Sequence, residues 1–247
     1  MANWNDPQLD KSGFGASPRL NGETIGRTTY DQGLRRYMLS IYNYMASGIL
    51  LSGVVALLFA ASGMAEQVMV TPLRWLIALA PLGFVFAMSF GVQRMQTSTL
   101  QILFWAFSVA MGLSLSSIFL VYTGPSIATT FFATAAAFAG LSLVGYTTRK
   151  DLSAMGSFLI MGVFGILAAM VINIFLHSNG LALAISILGV LIFAGLTAWD
   201  TQRLKNQYGQ VAGTEWAGKT VIMGALSLYL DFINLFMFLL NFLGNRR

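Results

Sequence analysis

The chain has no cysteine, which excludes disulfides and thiolate metal sites and leaves the redox compartment unmarked. Charge is also scarce, with Asp, Glu, Lys and Arg making up 9% of the 247 residues against about 25% in an ordinary soluble domain. Proline occurs five times and histidine once. Together with 56% hydrophobic residues and a mean hydropathy of +0.71, these shortages exclude a soluble globular domain and point to a chain that crosses a bilayer repeatedly. The 25 glycines suit membrane helices that approach one another closely. A net charge of +5 raises the question of nucleic acid, but the basic residues are dispersed and form no patch interleaved with aromatics. The expected partner is therefore the lipid bilayer, not nucleic acid.

Residues 1–33 contain four acids, Asp6, Asp10, Glu23 and Asp31, with scattered glycines and little periodicity. They read as a flexible N-terminal tail with a short amphipathic piece near Tyr30–Tyr37, and no apolar core precedes a cleavage site. The rest, 34–247, reads as an all-α domain of seven transmembrane helices over about 38–63, 73–92, 99–122, 126–147, 153–176, 180–202 and 219–243. Small residues such as Gly162, Gly165, Ala169 and Asn173, at spacings of three and four, suit tight helix contacts in a compact bundle.

Lys and Arg set the orientation. Lys11, Arg19, Arg27, Arg35, Arg36, Arg94, Arg149, Lys150, Arg203, Lys205 and Lys219 fall on one side, and only Arg74, Arg246 and Arg247 on the other. The positive-inside rule then puts the N-terminus in the cytoplasm and the C-terminus outside.

The last span, MGALSLYLDFINLFMFLLNFLGNRR, carries Asp231 in the middle of apolar sequence. A helical rise of ~1.5 Å per residue places it ~18 Å from Lys219 and from Leu243, near mid-membrane. Such an acid faces a bundle interior or a watery cavity and needs a partner. Thr220, Gly224, Ser227, Asn234 and Asn241 share its helix face, so this helix is expected inside the bundle. Asp200 closes the sixth span in LTAWDTQRLK. Hydropathy alone leaves it either an interfacial carboxylate or the partner of Asp231, sharing a face with Ser186, Gly189 and Thr197. Two adjacent carboxyls would share a proton, or bind a hard cation such as calcium with Asn234, backbone carbonyls or water.

Arg94, in SFGVQRMQ after the second span, reads from its position as a snorkelling anchor, and Arg149, Lys150 and Asp151 as a solvated turn. The single His177 in LHSNG makes a poor metal site. Catalysis is not expected. Two membrane aspartates suggest an intramembrane protease, but the GxGD signature is absent where Tyr229-Leu230-Asp231-Phe232 stands. There is also no GxSxG, HExxH or Walker loop.

The run Ala225-Leu226-Ser227-Leu228-Tyr229-Leu230-Asp231-Phe232-Ile233-Asn234-Leu235-Phe236, with Trp199-Asp200-Thr201-Gln202, closely resembles the bacterial branch of the Bax inhibitor family of seven-span membrane proteins. Lys150-Asp151-Leu152-Ser153 and Gly112-Leu113-Ser114-Leu115 extend the resemblance, which covers roughly 34–245. It implies six helices packed around a central C-terminal helix, in a bacterial inner membrane. It also implies a calcium leak whose pH sensor is the pair Asp200 and Asp231, supported by the polar side chains Ser227 and Asn234. Arg94 matches the family arginine that latches the pore shut against the first aspartate. No cofactor is implied beyond calcium as permeant or regulatory ion. The family is further associated with stress protection and with modulating a membrane-bound protease, which gives a rival reading as a regulatory interaction protein. The segment Thr201 to Leu230 departs from this pattern by being long and polar at Asn206–Gly218, as an extended cytoplasmic loop or a helix that starts below the membrane would be, and it leaves Asp200 looking interfacial while Asp231 looks central.

Seven spans with an eleven-to-three basic split predict that a reporter active only in the cytoplasm, fused after Arg247, stays silent. Bright signal from that fusion would mean an even number of spans.

Overall fold

The computed structural model describes residues 22–246. Seven long helices are apolar enough to cross a membrane, and among the described residues there is no strand beyond one isolated bridge, Tyr122 with Arg246. In chain order the helices are α1 (Gly22–Ala61), the short α2 (Met64–Met69), α3 (Leu73–Gly91), α4 (Thr97–Leu115), the single turn α5 (Ile118–Val121), α6 (Gly124–Thr147), α7 (Ser153–Leu176), α8 (Asn179–Val211) and α9 (Trp216–Leu243). The fourth and fifth together form the third span, Thr97–Val121. Local chemistry marks the boundaries. Pro125 stands in the first turn of α6, where its missing N–H costs nothing. His177 ends α7 in the left-handed region at φ 49, and the Ser178 hydroxyl then accepts from Leu181 N–H to start α8.

Two boundaries differ from the sequence reading. The expected tail 1–33 is helical from Gly22, the start of α1, while residues 1–21 lie outside the described residues. The polar stretch after Thr201, expected as an extended loop or as a helix starting below the membrane, instead continues α8 to Val211. The reason is packing. Leu204 and Val211 are buried, and Tyr208 meets Tyr30 and Tyr37 of α1 at ring-centroid distances of 5.2 Å, so 201–211 is an amphipathic helix and not a loop. Only Ala212–Glu215 separates α8 from α9, and the turn closes through Gly213 at φ 75, a conformation that glycine adopts without strain.

The last helix is the axis. Two thirds of its most apolar window is buried (67%), against 11–39% in the other spans. It packs directly on α1, α4, α6 and α8, whereas α3 leans on α4 and α7 on α8. Two apolar clusters result. The larger joins α1, α4, α6 and α9 around Phe104, Phe107, Tyr229 and Phe232, and the smaller joins α7, α8 and α9 around Leu159, Phe193, Leu235 and Phe238. At the end opposite the α8–α9 turn, Thr123 N–H donates to Asn245 and Tyr122 Oη to Asn241, tying the C-terminus to the start of α6.

Glycines set the closest approaches, though not all of those expected. Gly162 admits Ile192, but Gly165 faces open space. At Gly145 a methyl group would collide with the Ala198 carbonyl oxygen, a backbone atom that cannot swing aside. Gly145→Ala is therefore expected to force α6 off α8 and lower the melting midpoint in detergent, an overpacking cost of ~1–3 kcal/mol. Gly165→Ala is the control and should hold or raise that midpoint through helix propensity, by up to ~1 kcal/mol. Equal melting of the two variants would remove Gly145 as a packing constraint.

Candidate functional site

The buried polar side chains of α8 and α9 converge where the two helices run side by side. Asp200 stands eleven positions before the end of α8 and Ser227 eleven positions after the start of α9, so the tight turn at Gly213 brings them level. The Ser227 hydroxyl donates to Asp200 Oδ2 at 2.5 Å. Arg203, one helical turn after Asp200, places Nη2 3.0 Å from Asp200 Oδ1, an ion pair by distance whose angle falls short of a hydrogen bond. The same Nη2 donates to Ser227 Oγ at 3.2 Å. The guanidinium also lies over the Trp199 ring, 4.7 Å from its centroid, and that indole is seated against Gly156 of α7, where any side chain would displace it.

Asp231 lies one turn deeper than Ser227 on α9, with its carboxyl beside that of Asp200 and Arg203 as the nearby cation. Both aspartates are buried, at 4% and 6% exposure, and among the described residues Asp231 Oδ2 has no hydrogen-bond partner. The extension of α8 past residue 202 removes the apparent mismatch of depth. Asp200 is not at the membrane-facing end of its helix but a third of the way along it from Val211.

A cleft of about 810 Å³ leads to this cluster from the end of the bundle that carries the α8–α9 turn. Its walls include Val85 and Ser89 of α3, Ser153 of α7, and Gln207 and Met223 of the hairpin, and it stops at Arg203, Ser227 and Leu230. The aspartates sit behind that stop. Beyond them, toward the opposite end, the α8–α9 interface is filled by Leu235 and the stacked Phe193–Phe238 pair, which fits only because Gly189 has no side chain. Cations on α8 and α9 hold the ends of two neighbouring helices, the first at the mouth of the cleft and the second on the side of α6. Lys219 Nζ donates to the Val92 carbonyl after α3, and Lys205 Nζ to the Tyr146 carbonyl in the last turn of α6. Gln202 clamps the turn before α7, accepting from Leu152 N–H and donating to the Lys150 carbonyl, both at 2.8 Å. In that turn Asp151 accepts from the Ser153 hydroxyl and backbone, which holds its carboxyl below the ordinary carboxylate range.

Of the residues expected at the site, the fold brings Asp200, Asp231 and Ser227 together and leaves two apart. Arg94, expected as the latch on Asp200, is exposed on the turn after α3. Lys219, bonded to that turn, precedes Ser227 by eight residues of helix, or ~12 Å, so the turn belongs to the cleft mouth. The guanidinium on Asp200 is that of Arg203, which the sequence reading had counted only among the basic residues that set the orientation. Helix continuation past Thr201 puts it on the face of Asp200 at i+3, and that spacing was its only signal. Asn234 donates to the Leu230 carbonyl of its own helix at 2.8 Å and is not bonded to the aspartates. His177 is exposed at the opposite end. Among the described residues no three His, Asp or Glu side chains are grouped to hold a metal, so a cation at the dyad would find two carboxyls plus hydroxyl, carbonyl or water oxygens.

The family model described as "Inhibitor of apoptosis-promoting Bax1" matches residues 34–247. A protein of Rickettsia prowazekii is 48% identical over 226 residues, covering 91% of this chain and 95% of its own. A protein of Caulobacter vibrioides is 47% identical over 229 residues, 88% of this chain and 91% of its own. "Inner membrane protein YbhL" of Escherichia coli K12 is 44% identical over 219 residues, 87% and 94%.

The contacts rank the groups that hold Asp200. A hydrogen bond from a mostly buried hydroxyl to a charged acceptor contributes ~1.5–3 kcal/mol, whereas an ion pair whose cation is 46% exposed contributes ~1 kcal/mol or less. Ser227→Ala is therefore expected to lower thermal stability in detergent more than Arg203→Gln. The reverse order would make the ion pair the principal restraint.

Proposed function

This chain belongs to the Bax inhibitor family, and from that premise we propose that it is a pH-regulated passive conduit for calcium in a bacterial inner membrane, with Asp200 and Asp231 as proton and calcium sensor. The inner-membrane setting follows the name of the Escherichia coli relative. The reading assigns no catalysis and no resident cofactor, and calcium is cargo. It is carried by one observation: a pair of buried carboxyls lies behind the inner end of a cleft that Arg203 and Ser227 close.

The mechanism is local electrostatics acting on the α8–α9 pair. An ionised Asp200 holds the Arg203 guanidinium and accepts the Ser227 hydroxyl, which keeps the end of the cleft shut. Protonation removes the charge that holds Arg203, and a calcium ion competes for the same oxygens, so either event loosens the stop. A contact that needs the carboxylate is present at higher pH and lost as pH falls, so flux rises on acidification. Arg203 serves as the latch in this conformation. Arg94, which the family resemblance assigns that role, sits at the cleft mouth and would reach the dyad only after movement of the turn that follows α3.

Calcium flux into liposomes containing only the purified protein, measured across acidic to neutral pH with potassium and magnesium as controls, tests the conduit. Asp231→Asn is expected to flatten the pH dependence while leaving the protein folded, because the sensor is a proton shared by two carboxyls and an amide keeps the shape but cannot ionise. Wild-type pH dependence in that variant would sink the sensor. Arg203→Ala and Asp200→Asn should each raise basal flux by up to about five-fold, the scale of a half-exposed ion pair, and the double variant should leak no more than either. If Arg94→Ala is non-additive with Asp200→Asn while Arg203→Ala is additive, the latch passes to Arg94. Absence of flux together with co-purification of a membrane protease would favour the rival reading as a regulator of that protease.

A further inference from the structure

On the flank of the bundle away from the polar cleft, α1 and α6 stand apart and leave a lateral groove of about 800 Å³. Its chemistry is graded. Asp31, Arg35 and Tyr146 lie at the end near the α8–α9 turn, and from there the walls are apolar, through Leu39 and Ala139 to Leu50 and Phe131, over a floor that reaches Phe232 of α9. Asp31 and Arg35 are exposed and make no ion pair with each other. Part of the wall is Ser142, a residue 6% exposed whose buried hydroxyl oxygen has no hydrogen-bond partner among the described residues. It lies four residues, ~6 Å, deeper than Tyr146 on α6.

We propose that this groove is a specific site for one anionic phospholipid, with its phosphate at Arg35, an ester carbonyl accepting from Ser142 and an acyl chain running between α1 and α6 toward Phe131. Three observations select a lipid. From Arg35 to Leu50 the groove follows fifteen residues of helix, ~22 Å, the depth of one leaflet with its headgroup region. The gradient from charged end to apolar trough matches an amphiphile, and the orphaned hydroxyl stands just below the charge, where a phospholipid carries its ester carbonyls. Arg35 supplies the preference for a negative headgroup, with Asp31 one turn away disfavouring a second negative charge.

The test is native mass spectrometry of the full chain in mild detergent, titrated with phosphatidylglycerol or with phosphatidylcholine of the same acyl chains. One phosphatidylglycerol per chain is expected to bind tightly, with phosphatidylcholine about five-fold weaker and Arg35→Gln abolishing that difference. Ala139→Trp and Leu39→Trp fill the groove from opposite walls at exposed positions and should each remove the tight site. Phosphatidylglycerol bearing a photoreactive acyl chain, bound to wild-type protein, should label peptides within 35–50 and 131–146, which decides the matter should either Trp variant fail to fold. Labelling spread evenly over all spans, unchanged binding in both folded Trp variants, or a groove closed by a second copy of the chain would each overturn the site.

Discussion

The structure depends on keeping two carboxyl groups inside a bundle that sits in hydrocarbon. A carboxylate there is costly unless hydroxyls, cations or water surround it, and Asp200 meets that demand with Ser227 and Arg203. Those partners come from two helices whose register is fixed by a short turn, so the length of α8 is itself a functional quantity. One residue more or fewer between Val211 and Trp216 would rotate α9 by ~100° and carry Ser227 away from Asp200. The central position of α9 follows, because a helix with Asp231 on one face and Tyr229 on another needs protein on every side. The Tyr229 hydroxyl is satisfied by Ser52, itself bonded to the Ser108 carbonyl at 2.6 Å.

The seven spans were legible because hydrophobic length is a direct imprint of bilayer thickness, and Asp231 was legible because an acid in apolar sequence has few explanations. Ser227 followed from helical spacing. What hydropathy could not reveal is a helix that leaves the membrane without ending. Residues 201–211 are polar on average, and their helical nature lies in the spacing of Leu204, Tyr208 and Val211, which pack on α1. Missing that continuation displaced Asp200 to an interface and hid Arg203, so a single boundary error accounts for both misplacements. Arg94 was drawn from the family resemblance, where position before the Gly112 motif carried it, and no pattern in the sequence measures its distance from the dyad.

The basic residues show how a statistical signal and a specific bond coexist. Counted together they give an orientation; examined singly, Lys219, Lys205 and Arg203 hold the end of α3, the end of α6 and a buried acid. Helix C-termini present unsatisfied carbonyls and the negative end of a dipole, so lysines gathered at one end of the bundle find partners there. The end of the bundle that carries the α8–α9 turn is thereby braced by contacts that run through α8 and α9, the two helices that carry the dyad. Movement of either helix strains the caps on its neighbours, which favours two discrete arrangements over gradual drift.

The polar cleft and the lateral groove lie on different sides of the same two helices, one residue apart in sequence. Thr201 follows Asp200 and is 3.4 Å from the hydroxyl of Tyr42, a groove residue; Phe232 follows Asp231 and is part of the groove floor. Successive helical residues point ~100° apart, so a helix that presents an aspartate to one cavity presents its neighbour toward the other. An acyl chain between α1 and α6 would press on Phe232 and Tyr42 and thus on the backbone that aims both carboxyls. Where a ligand and a proton bias one two-state element, the coupling is reciprocal. If the α8–α9 pair is the pH latch proposed above, a lipid that favours its closed form must bind more tightly at the pH where it is closed, by the same factor with which it shifts the latch.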